Sequence, residues 1–115
     1  MLQWLPESDG DLICLKASGR VSDNDYRAIL PQLDAVLSSQ SSLRLFGDFS
    51  DFDGWEWALA QEKFSFGRDN LKKIAILGKE FAKDLAALAE VMLNDTEVQF
   101  FDADDKNVAL IWVKK

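Results

Sequence analysis

Three aspartates follow closely on one another in the chain, at Asp48, Asp51 and Asp53, directly after an apolar run. Carboxylates placed at the end of a strand suit Mg²⁺ or Ca²⁺, because both ions prefer oxygen ligands and α/β sheets bind ligands at the carboxyl ends of their strands. The spacing is not that of a calcium-binding loop, however. A solvated loop whose last carboxylate caps a helix accounts for the same residues, so we expect no metal and no cofactor.

Other catalytic groups are scarce. The chain contains no histidine, which removes Ser-His and Cys-His nucleophilic pairs, the usual zinc sites and the commonest general base near neutral pH. Glycine-rich phosphate-binding motifs are also missing. The single cysteine, Cys14, lies in an apolar run where a buried, inert thiol is expected. We predict that the protein is not an enzyme, and metal-assisted chemistry at the aspartates is the weakest of three interpretations.

An aromatic segment over residues 54–66 is the most informative part of the sequence. Asp53 and Glu56 resemble a capping box, which predicts a helix that begins at Gly54. At 100° per residue this helix has two apolar faces. One face consists of Trp55, Leu59 and Phe66, and the other of Trp57, Ala60 and Phe64. Because a surface helix needs only one apolar stripe, either the helix is sandwiched in the core or its second face meets a ligand, a membrane or another subunit.

The charge balance limits the partners. The net charge is −7 and no basic stripe is present, which disfavours nucleic acid as well as purely electrostatic attachment to anionic lipid. The N-terminus has no basic region of a signal peptide, and no apolar stretch approaches the roughly 20 residues that cross a bilayer. We expect a cytoplasmic protein, with weak peripheral membrane contact and a homodimer both compatible with the sequence.

The elements that must position these residues alternate along one domain, residues 1–115. Strands are predicted at Leu2 to Leu5, Leu12 to Ser18, Leu43 to Asp48, Ile74 to Leu77 and Glu97 to Phe101. Helices are predicted after the N-cap Ser22, over 54–66, over 80–93, and after Asp102 as the cap of the last helix. The first helix contains Pro31, where we expect a kink or an irregular turn. The order β-β-α-β-α-β-α-β-α predicts an α/β fold, with a mostly parallel five-stranded sheet, an antiparallel N-terminal hairpin and about four helices. Leu45, Ile74, Ile76 and Leu77 are predicted to be nearly fully buried.

Four segments carry a resemblance to a known family. They are residues 17–22 leading to Asp25 and Tyr26, residues 43–45 with 48–55, residues 74–78, and residues 98–102. Together they resemble the SpoIIAA-like proteins of the STAS superfamily, whose fold is similar to that of CRAL-TRIO lipid-binding domains. Anti-sigma-factor antagonists of this superfamily carry a phosphorylated serine at the start of the helix after the third strand. Residues 51–55 contain no serine and Ser50 lies upstream, so we expect no serine-kinase switch.

The leading functional hypothesis is a non-enzymatic binding module for a small apolar or amphipathic ligand, with a lipid as one candidate. The residues predicted to carry the site are Phe52, Trp55, Trp57 and Phe64. Tryptophan suits such a surface, because its ring is apolar while its N–H remains near water. The alternative is a STAS-type protein–protein regulatory module that lacks the phosphorylatable serine and acts on an anti-sigma-like or kinase-like partner.

Overall fold

The described strands and helices follow one another in the predicted order, and the helix predicted between the third and fourth strands lies almost entirely outside the described residues. The computed structural model describes residues 1–55, 71–92 and 96–115. The elements are β1 (Leu2–Trp4), β2 (Leu12–Val21), α1 (Asp23–Ser39), β3 (Leu43–Trp55), β4 (Leu71–Gly78), α2 (Glu80–Met92), β5 (Glu97–Asp102) and α3 (Lys106–Lys114). The strands form one sheet in the order β1-β2-β3-β4-β5, in which β1 is antiparallel to β2 and the other pairs are parallel. The predicted α/β fold with an N-terminal hairpin is therefore confirmed.

Helices cover both faces of the sheet because the side chains of its strands alternate between them. On β2, Leu12 and Cys14 pack with Ala109 and Val113 of α3. The neighbouring Ile13 and Leu15 pack with Ile29 and Leu33 of α1. Leu45 of β3 contacts both the α1 cluster and the α2 cluster. Thus α1 and α2 share one face, and α3 lies on the other.

The predicted core of β4 is confirmed. Ile74, Ile76 and Leu77 are buried, and Ile74 and Ile76 pack against Ala82 and Ala86 of α2. The prediction for Leu45 is wrong, because its side chain is only half-buried. Leu45 belongs to the margin of two clusters and to the centre of neither.

Helix α1 begins with the predicted cap. The Asp25 amide donates to the Ser22 hydroxyl at 3.2 Å, and the Ser22 amide donates to the Asp25 carboxylate at 2.9 Å, which forms a reciprocal capping box. Of the two expectations for Pro31, the irregular turn does not occur, since α1 is continuous through Pro31. Burial of Ile29 and Leu33 on either side of Pro31 outweighs the one backbone hydrogen bond that proline removes.

The capping box makes stability depend on pH. Hydrogen bonds from Ser22 hold the pKa of Asp25 below its ordinary value of 3.8. A depressed pKa contributes stability above the ordinary value, and that contribution is lost as the pH falls through the folded-state pKa. We expect Asp25→Asn to cost about 0.3–1 kcal/mol at neutral pH and to flatten the loss of stability below about pH 4. Urea unfolding between neutral and acid pH measures this, with the exposed Asp34→Asn of the same helix as the control. Equal acid sensitivity of Asp25→Asn and the wild type would contradict the assignment.

Helix α3 begins at Lys106 with Asp105 as its N-cap, so the predicted start after Asp102 is wrong. Asp102 ends β5, and its carbonyl accepts a turn hydrogen bond from the Asp105 amide at 2.9 Å. At the other end, two cations from the sheet reach the last carbonyls. Arg44 donates to the carbonyl of Lys114 at 2.6 Å, and Lys73 donates to that of Trp112 at 3.2 Å. These bonds satisfy carbonyls that a helix C-terminus leaves open and fasten α3 to the sheet.

Candidate ligand-binding site

Strand β3 is much longer than expected. The predicted loop over 49–54 and the predicted helix start at Gly54 are wrong, because residues 49–55 continue β3 and pair with β2 as far as Val21 and Trp55. Asp53 therefore lies within a strand and is not an N-cap. The pairing passes through two register shifts, after Lys16 and after Gly19. Backbone pairing with an equally extended β2 overrides the turn preference of the Asp and Gly residues in this segment.

Residues 49–55 extend β3 beyond the end of its other neighbouring strand, β4. The register of β3 with β4 ends at the pair Asp48–Leu77, and β4 itself ends at Gly78. Among the described residues, positions 49–55 of β3 pair only with β2. The carboxyl ends of β2 and β3 thus form a two-stranded ribbon that projects beyond the rest of the sheet.

Two aromatic rings lie on the α1 side of this ribbon. Phe49 and Phe52 meet edge to face, with ring centroids 5.3 Å apart and an interplanar angle of 76°, which is a favoured geometry for aromatic pairs. Both side chains pack against the cluster of Ala17, Val21 and Tyr26. Both are only half-buried. The pair therefore presents apolar surface at the carboxyl end of the sheet.

Glycines on two strands make room for Phe49. A Cβ at Gly47 would lie 2.7 Å from Cε2 of the Phe49 ring. A Cβ at Gly78 would lie 2.7 Å from the Cβ of Ala82 and 3.2 Å from the backbone carbon of Phe49. Contacts this short would displace the atoms around a new Cβ. The position of Phe49 therefore depends on the absence of side chains at Gly47 and Gly78.

The polar residues of the ribbon occupy the opposite side. Asp48 follows Phe46 by two residues and therefore points to the same side of the strand, the α3 side, where it is buried. It accepts hydrogen bonds from the Ser50 amide at 3.0 Å and from the Ser50 hydroxyl at 2.6 Å. Asp51 pairs with Lys16 at 3.3 Å, and Asp53 is exposed. The three aspartates thus have different environments, and among residues 1–55, 71–92 and 96–115 no cluster of His, Cys, Asp or Glu is arranged to hold a metal ion.

The structure describes the side chain of only one of the four predicted site residues. Phe52 lies at the ribbon, and the backbone of Trp55 ends β3 opposite Val21. Trp57 and Phe64 lie outside the described residues, as does most of the predicted helix over 54–66. Sequence reasoning missed Phe49, which it placed in a loop. The alternation of Gly47, Asp48, Phe49 and Ser50, followed by Asp51 and Phe52 after a one-residue shift, is the signature of a bulged strand and would have identified it.

The thiol of Cys14 is buried, as the sequence predicts. Cys14 is fully buried in the sheet, and burial raises the pKa of its thiol to about 11. A thiol held in this protonated form is a poor nucleophile. Cys14 therefore belongs to the core and lies apart from the ribbon.

Comparison with known proteins identifies the family. A family model described as SpoIIAA-like matches residues 12–114. The chain belongs to the SpoIIAA-like family. The fold of this SpoIIAA-like protein is similar to that of an uncharacterised protein with a SpoIIAA-like fold from Shewanella loihica. The two are 24% identical with a TM-score of 0.80, over 97% of this chain and 93% of that one. A comparison with curated proteins gives no match.

The position of Ser50 bears on whether a kinase could regulate this SpoIIAA-like protein. Ser50 lies inside β3, half-buried, with its hydroxyl bonded to the buried Asp48. A phosphate there would meet the charges of Asp48 and Asp51, so the absence of a kinase switch stays our prediction.

None of the helices that the structure describes is long and apolar enough to pass through a bilayer.

Proposed function

We propose that this SpoIIAA-like protein is a non-catalytic binding module whose site for a small apolar or amphipathic ligand lies at the projecting ends of β2 and β3. The observation that carries the proposal is the half-buried Phe49–Phe52 pair, placed beyond the end of β4. Ligand sites are mostly apolar and aromatic, and in open α/β sheets they lie at the carboxyl ends of strands. A lipid is one candidate ligand of this chemistry.

The charged groups at this end of the sheet do not favour catalysis. Lys16 is paired with Asp51, and the Asp48 carboxylate accepts two hydrogen bonds from Ser50. With no histidine in the chain, no imidazole base accompanies these carboxylates or the Ser50 hydroxyl. The ribbon therefore offers apolar contact on one face and a hydrogen-bonded polar network on the other, which suits binding better than turnover.

The test compares aromatic substitutions by titration with the apolar fluorescent probe anilinonaphthalene sulfonate. We expect the double substitution Trp57→Ser with Phe64→Ser to weaken probe binding by about tenfold or more, the equivalent of roughly 1.4 kcal/mol, with little change in melting temperature. Phe52→Ser should also weaken binding but lower stability, because its ring packs on Ala17 and Val21. The control is Val91→Ser on α2, whose apolar side chain is 77% exposed and far from the ribbon in sequence.

Two results would contradict this proposal. Unchanged probe affinity in both the Phe52→Ser variant and the Trp57/Phe64 double variant would contradict a site formed by these aromatic residues. Equal destabilisation by Phe52→Ser and by the Trp57/Phe64 double variant, again with unchanged binding, would mean that these aromatic residues serve only the core. Any attraction to a bilayer through this surface would be hydrophobic, so liposome binding, if seen, should be nearly independent of salt.

A protein–protein regulatory role is the second candidate. It rests on the edge of β3 over residues 49–55, which has no strand on the β4 side among the described residues. An extended segment of another protein can add to such an edge through main-chain hydrogen bonds. Native mass spectrometry of protein purified from its own host separates the two candidates. A small-molecule mass adduct supports ligand binding, and a stoichiometric heteromer supports the regulatory role.

A further inference from the structure

Two large apolar side chains are exposed next to each other on the outer side of α3. Its inner side is buried in the core through Ala109 and Val113. Its outer side leaves Val108 and Ile111 55% and 60% exposed. These two residues are three positions apart and therefore neighbours on one face of the helix. In the described part of the chain, the other exposed large hydrophobic residues are Met1, before β1, and Val91, on α2.

Charges of opposite sign flank this apolar pair. Asp104 and Asp105 are exposed at the start of α3, and Lys114 and Lys115 are exposed at its end. The Asp105 side chain makes no capping hydrogen bond. Within the described residues, none of these four side chains forms an ion pair. Along its axis α3 therefore runs from acidic through apolar to basic, with Asp104 and Lys115 on the side of Val108 and Ile111 and with Lys114 turned toward a cavity that it lines with Glu7.

The pattern is self-complementary. The midpoint between Val108 and Ile111 along the helix is also the midpoint between the acidic pair and the basic pair. With a rise of 1.5 Å per residue, a two-fold axis through this point places Ile111 of one copy against Val108 of the other. The same operation places Asp104 of each copy opposite Lys115 of the other.

We propose that the outer face of α3 is the interface of a homodimer in which two copies of α3 pack antiparallel about a two-fold axis. A second copy fits this face better than an anionic bilayer does, because Asp104 and Asp105 would be repelled by the bilayer while the lysines were attracted. The interface does not involve the β2–β3 ribbon and does not depend on the proposed ligand site. Since one helix face buries less than the roughly 800 Å² per partner of a standard interface, the dimer is weak and exchanges rapidly.

The test is sedimentation equilibrium of the full chain at loadings from about 10 μM to 1 mM, a range suited to weak association. We expect Ile111→Asp to weaken dimerisation by at least about tenfold, and high salt to weaken the wild-type dimer, because the flanking charge pairs are exposed. Val91→Asp is the matched control, since it places the same charge on an exposed apolar position of α2, and it should leave association unchanged.

Exchanging the charges at the two ends of α3 provides a second, more specific test. One variant carries Asp104→Lys and Asp105→Lys, and the other carries Lys114→Glu and Lys115→Glu. Each alone should be monomeric, because its two helix ends then have the same charge, whereas an equimolar mixture should form a heterodimer. If circular dichroism shows that either variant fails to fold, Ile111→Asp decides.

Three results overturn the dimer. The first is a wild type that stays monomeric over the whole range of loadings. The second is a wild-type dimer that Ile111→Asp does not weaken. The third is a monomer that binds vesicles of anionic phospholipid and loses that binding when Lys114 and Lys115 are replaced, which would assign the face to a membrane.

Discussion

Replacing Ile76 by alanine should lower the free energy of unfolding by about 2–5 kcal/mol. Ile76 is 3% exposed and packs from β4 onto the α2 residues Ala82 and Ala86. Alanine partners are too small to refill the space, so the loss of apolar contact adds to the cost of the cavity. Urea unfolding with an unchanged m-value measures the effect directly. Val91→Ala is the control, because truncation of a 77% exposed side chain should cost less than about 0.5 kcal/mol. A loss below about 1 kcal/mol for Ile76→Ala would show that β4 is not in the core.

Adding one methyl group at Gly78 should also be costly. The Cβ of Gly78→Ala would lie 2.7 Å from the Cβ of Ala82 and 3.2 Å from the backbone carbon of Phe49. Neither neighbour is the free end of a long side chain, so the start of α2 or the backbone of β3 must move. We expect a loss of about 1–3 kcal/mol, as for other overpacked sites.

A double-mutant cycle identifies the cause of that loss. Ala82→Gly removes the nearer of the two atoms, although glycine inside a helix costs up to about 1 kcal/mol by itself. If the clash is the cause, the double variant should be more stable than the sum of the two single effects predicts. Strict additivity in thermal or urea unfolding would show that Gly78 is needed for another reason.

The parts of the fold that the sequence predicts correctly are those with a strong local pattern. The apolar run of β4 and the Ser22–Asp25 capping box specify their elements without help from distant residues. The helical stripe of α1 is strong enough to continue through Pro31. The mostly parallel strand direction follows from the alternation of elements, because crossover connections favour a parallel sheet.

The candidate site is less predictable because pairing partners far away in sequence decide its conformation. Asp51, Asp53 and Gly54 locally favour a turn, yet they form β3 because β2 continues to Val21 and pairs with them. The φ angle of +126° at Gly54 shows the local irregularity that this pairing tolerates. A prediction from local preference therefore ended β3 too early and overlooked Phe49. Phe52, one of the predicted site residues, lies at this surface in a strand and not in the predicted loop.

The most direct test of the proposed site is an NMR titration of the ¹⁵N-labelled protein with lauric acid, a small amphipathic probe, below its aggregation concentration. We expect the largest amide shifts at the ends of β2 and β3, around Val21, Phe49 and Phe52, with little change in α3. Saturable shifts confined to this ribbon would support a binding module of the proposed kind. Saturable shifts centred elsewhere, or no shifts at all while the protein remains folded, would contradict it.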